Sequence, residues 1–60
     1  MAGNGFIQIQ ADFGTGNWRT VSNVMNNAQY IAHAMKSAAK MHPTKRIRAV
    51  DANGRLVDML

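Results

Sequence analysis

Sixty residues without a cysteine allow a single domain near the lower size limit for folding without disulfide or metal staples. Seven Lys and Arg against three Asp leave a net charge of +4 and a pI near 10.4, a balance that favours encounter with nucleic acid or an acidic protein. No apolar run approaches the roughly twenty residues of a helical membrane span, and the small, uncharged opening is unlike the basic start of a signal peptide, so no membrane partner is expected.

Met1 to Gly5 reads as a flexible leader and residues 6–60 as one domain. Phe6 to Ala11 alternates in period two, with Ile7, Ile9 and Ala11 on one side and Phe6, Gln8 and Gln10 on the other, as a half-buried strand does. Asp12 to Asn17 is rich in turn formers, and Trp18 to Ser22 resumes β-favouring residues. The two strands form a hairpin. Trp18 with Thr20 and Arg19 with Val21 each offer one large apolar residue, and Trp18 is assigned to the core.

Asn26 or Asn27 can cap a helix over Ala28 to Met41, which holds neither Gly nor Pro and is followed by Pro43. Ala28, Ile31, Ala32, Met35, Ala38 and Ala39 recur at helical spacing and form the expected buried stripe. Gln29, His33, Lys36 and Lys40 lie opposite, with Tyr30, Ala34 and Met41 on the flanks.

Arg46 to Leu60 spells two further strands around Asp51-Ala52-Asn53-Gly54. Asp opening the turn and Gly closing it fit a type I turn with a glycine bulge. That loop sets Asp51 opposite Arg55, Val50 opposite Leu56 and Arg48 opposite Asp58; a two-residue Asn-Gly loop would instead set Arg48 opposite Met59 and Ala49 opposite Asp58. The first register is preferred for its opposite-charge pairs. It predicts a core face of Ile47, Ala49, Val57 and Met59. The other face would carry Arg46, Arg48, Val50, Leu56, Asp58 and Leu60.

The expected fold is α+β, a two-layer ββαββ arrangement with one helix packed on a small, mainly antiparallel four-stranded sheet. Nothing in such a chain covers the second sheet face. Phe6, Val50, Leu56 and Leu60 would stand there among Arg46, Arg48, Gln8 and Gln10, and apolar side chains rimmed by arginine and glutamine are typical of interaction surfaces.

The Gly16-Asn17-Trp18-Arg19-Thr20-Val21 stretch, the polar helix start at Asn27 to Ile31 and the Arg46 to Asp58 ending together resemble small uncharacterised bacteriophage proteins. They are also similar to short bacterial domains of unknown function with the same ββαββ order. The resemblance implies an accessory protein acting in the cytoplasm of a bacterial host, and it carries no catalytic or ligand residues with it.

Catalytic patterns are absent from the sequence. Its acids are Asp12, Asp51 and Asp58, spread over both hairpins, whereas acid–base chemistry wants paired groups or a nucleophile beside a base. Ser22 and Ser37 sit in no nucleophile motif. His33 and His42 are too far apart to hold one metal between them. Gly14-Thr15-Gly16 precedes a strand and lacks the Gly-Lys-Ser/Thr ending of a phosphate loop. No enzyme activity, cofactor, metal or small-molecule substrate is expected.

These features favour a non-enzymatic protein-interaction module. Its open face, with Phe6, Arg46, Arg48, Val50, Leu56 and Leu60, would meet a second copy or a host or phage protein. The alternative is nucleic-acid binding through Lys36, Lys40, Lys45, Arg46, Arg48 and Arg55. Against the alternative, the aromatics Phe6, Phe13, Trp18 and Tyr30 all lie outside the basic hairpin, which leaves the stacking platform thin.

Overall fold

The computed structural model describes residues 5–60. Met1 to Asn4 of the expected leader lie outside the described residues, and Gly5 is exposed. Strands β1 (Phe6–Asp12) and β2 (Trp18–Met25) are followed by helix α1 (Ala28–Met41) and strands β3 (Ile47–Val50) and β4 (Leu56–Met59). The four strands form one sheet in the order β2-β1-β3-β4, every neighbouring pair antiparallel. This is the α+β, ββαββ arrangement read from the sequence. No described helix is long and apolar enough to cross a membrane.

The alternation of β1 sends Ile7, Ile9 and Ala11 beneath the helix, none more than 2% exposed. Ile47 and Ala49 of β3 join them, with Ile31, Ala34, Met35 and Ala38 from α1. The helix is rotated from the expected stripe: Ala34 is buried, while Ala28 and Ala32 are exposed. The strands beneath set this rotation: the helix packs across β2, β1 and β3 but not on β4, so Ala34 and Ala38 lie on the flank beside β2, while Ala28 faces the cleft beside β4. Asn27 caps the helix, its side-chain oxygen accepting from the Gln29 and Tyr30 amides at 2.9 and 3.3 Å.

The β3–β4 turn forms as read. The Gly54 amide donates to the Asp51 carbonyl at 2.9 Å, and Gly54 takes the positive φ of 81°. The Asp51 carboxylate accepts from the amides of Asn53 and Arg55, both at 2.9 Å. Val50 stands opposite Leu56, as the preferred register requires, but a bulge follows. Val57 has no partner, so Ala49 then faces Asp58 and Arg48 faces Met59.

That extra residue inverts the rest of β4, because successive side chains alternate faces and one unpaired residue shifts the alternation. Asp58 falls on the helix side, where it shares a cleft with Asn26 and Ala28, beside the helix end that favours a carboxylate. Met59 falls on the open face. The expected Arg48–Asp58 pair is therefore not made, and Val57 and Met59 are exposed rather than core. Leu60 follows onto the helix side, its amide donating to the Ile47 carbonyl at 3.1 Å.

Candidate functional site

Residues directly opposite one another share a face, so the strand register maps the open side of the sheet row by row. Trp18 stands opposite Asp12; Thr20, Gln10, Arg48 and Met59 form the next row; Asn23, Gln8, Val50 and Leu56 the third; Met25 and Phe6 the last. The face thus grades from an aromatic, cationic end to an apolar one.

Trp18 belongs to this face rather than to the core. Its side is fixed by pairing with Asp12, which lies on the open side of β1. The Arg48 guanidinium carbon lies 4.1 Å from the Trp18 ring centroid and that of Arg46 lies 5.6 Å away. Arg48 is held in this pose by Gln10, whose Oε1 accepts from its Nε at 2.8 Å. Only Nε of the planar fork is spent on that bond, so its outer N–H groups remain directed for an acceptor. Gln10, Gln8 and Thr20 continue the polar row, the Thr20 hydroxyl donating to Gln8 Oε1 at 3.1 Å.

A second aromatic wraps the same end of the sheet. Phe13, in the β1–β2 turn, has Lys45 Nζ 4.6 Å and the Arg19 guanidinium carbon 5.0 Å from its ring centroid. The His42 ring meets its edge at a centroid distance of 5.5 Å. Four formal cations, Arg19, Lys45, Arg46 and Arg48, therefore gather around two aromatic rings.

Asp12 is the acid at this end, and its carboxylate is committed to the turn. Oδ1 accepts from the amides of Gly14 and Gly16 at 2.9 and 3.1 Å. The Gly14 bond foremost, with the Gly16 and Asn17 amides and the charge of Arg46, holds its pKa below the ordinary carboxylate value against a smaller desolvation effect. Gly14, Thr15 and Gly16 all have positive φ, which bends the chain tightly around that carboxylate.

The expected site residues divide between places. Arg46, Arg48 and Lys45 come together at the cationic end. Arg55 flanks the β3–β4 turn, at the opposite end of β3. Lys36 and Lys40 lie on the exposed surface of α1, the other layer of the molecule. On the apolar half, Phe6 and Leu56 are 61% and 59% exposed, but Val50 is only 4% exposed. Val50 sits on β3, an inner strand between β1 and β4, flanked across the sheet by Gln8 and Leu56. Leu60, on the helix side, leaves the open face.

Sequence reasoning placed Gln10 on the open face, where it stands, but missed Trp18, Phe13 and Arg19. Their meeting depends on long-range pairing of β1 with both β2 and β3; a Trp-Arg doublet after a turn was the one local signal. Among the described residues no group of three or more His, Cys, Asp or Glu side chains could hold a metal ion. Comparison with protein-family models, curated proteins and solved structures finds no match.

Proposed function

We propose that this protein binds single-stranded nucleic acid at the cationic end of its open sheet face, without catalysis. The observation that carries this reading is the association of Arg19, Lys45, Arg46 and Arg48 with Phe13 and Trp18 at one end of the molecule. Backbone phosphates need cations, and unpaired bases need planar surfaces, either aromatic rings or guanidinium planes. Trp18, Arg46 and Arg48 supply both on the open face, which the helix leaves free, and Phe13, Arg19 and Lys45 extend the cluster round the same end toward the helix C-cap at His42. The objection that aromatics lie away from the basic hairpin holds along the sequence but not in space.

A protein-docking reading keeps support from the other end of the same face, where Phe6, Met25 and Leu56 are each more than half exposed. The resemblance to phage accessory proteins suits either role in a host cytoplasm.

Anisotropy of a labelled, mixed-sequence single-stranded oligonucleotide separates the two. Arg46→Ala with Arg48→Ala is expected to weaken binding tenfold or more, since each charge-assisted bond contributes about 1.5–3 kcal/mol. Leu56→Asp should leave it nearly unchanged. Equal affinity for the wild type and the double-arginine variant would sink the proposal.

A further inference from the structure

We infer that the protein is a symmetric dimer joined through the β2 edge, in which two four-stranded sheets merge and the two helices lie side by side. β2 is an outer strand of the sheet, and at eight residues it is twice as long as β4, the other edge. An outer strand presents a row of unpaired backbone donors and acceptors that another strand can complete. Antiparallel pairing about the middle of β2 satisfies both copies with one two-fold axis.

The surface beside this edge is apolar and lacks formal charge. A groove of about 340 Å³ runs between β2 and α1, its lining including Val21, Val24, His33, Ser37, Met41 and His42. The β2 bulge, which leaves Val21 without a partner on β1, turns that side chain into the groove. Above it, Tyr30 and Met41 are 52% and 77% exposed on the β2 flank of the helix. The lysines of α1 lie on its outward surface, and Arg19, near the start of β2, would be carried to opposite ends of the joint. A second copy therefore meets this surface without opposing like charges.

Geometry separates the two edges. The helix packs across β2, β1 and β3, so its axis lies near β1. With strands about 4.8 Å apart, joining β2 to β2 sets the helices about 14 Å apart. That is a few ångströms beyond the usual 8–10 Å contact, a gap that Tyr30 and Met41 from both copies can fill. Joining β4 to β4 would set them about 24 Å apart and leave both β4 strands bare of helix. The occupant we assign to the groove is thus the Met41 and Tyr30 flank of a second copy.

Sedimentation equilibrium without nucleic acid tests this independently of the proposed binding. The wild type should sediment as a dimer that persists in high salt. Tyr30→Lys with Met41→Lys should shift it to monomer with the far-ultraviolet circular dichroism retained, while Leu56→Lys should leave the dimer intact. Hydrogen exchange of wild-type β2 amides, slowing as protein concentration rises, gives the same answer without a variant. A wild-type monomer at high concentration, a dimer that survives the helix-flank variant, or one lost in Leu56→Lys would overturn the inference.

Discussion

At the scale of single residues, the chemistry of this chain lies in how side chains are held. Arg48 is fixed from two sides, by the Trp18 ring and by Gln10, so little of its rotational freedom remains to be lost on binding an acceptor. Exposed cation–π pairs contribute about 0.5–1 kcal/mol each to the fold, too little to dominate its stability. Asp12 matters differently. Its pKa is lowered in the fold, so the unfolded chain binds its proton more readily, and the stability it supplies is full above the ordinary carboxylate range. That contribution should be lost as pH falls through the depressed pKa of Asp12. Thermal unfolding between pH 6 and pH 2 is expected to show a falling midpoint, less steep in Asp12→Asn; identical slopes for both would refute the assignment.

At the scale of elements, local patterns were legible where one residue's side decides its neighbours. The alternation of β1, the Asn27 cap, the Pro43 stop and the Asp51 turn all emerged where the residues said they would. Asn27→Ala should lower stability by about 1 kcal/mol, a fall of about 4–8 °C in Tm for a domain of this size, measured by circular dichroism. An unchanged Tm would mean the cap is idle. Illegible were features decided by pairing. The bulge at Val57 reverses the faces of Asp58 and Met59, and no residue in β4 announces it. Trp18 reads as core along the sequence, but register with β1 puts it on the open face, and Val21, the other large apolar residue of β2's start, is left unpaired at the bulge and exposed. Val50 is buried by strand order, which joins β3 to β1 rather than leaving it at an edge. The cationic end was half legible: the basic run of Lys45, Arg46 and Arg48 was visible, its aromatic partners from the first hairpin were not.

At the scale of the whole molecule, charge is unevenly placed. Arg19, Lys45, Arg46 and Arg48 surround one end, while Asp51 and Arg55 flank the turn at the other, so the net charge of +4 gives a field with a direction. A polyanion would be drawn to the end where the aromatics stand. If the chain pairs through β2, the open faces of two copies become one continuous surface with a cationic cluster toward each end, and a strand long enough to touch both would gain from effective concentration.

Trp18 is the single tryptophan of the chain, which makes its fluorescence a direct reporter of the proposed site. The measurement to make is a titration of that fluorescence with a single-stranded oligonucleotide across a salt series. Binding at the cationic end should quench Trp18, with the affinity falling as salt rises at a logarithmic slope of about −3 for four phosphate contacts. Fluorescence unchanged by oligonucleotide at low salt would contradict nucleic-acid binding at this face.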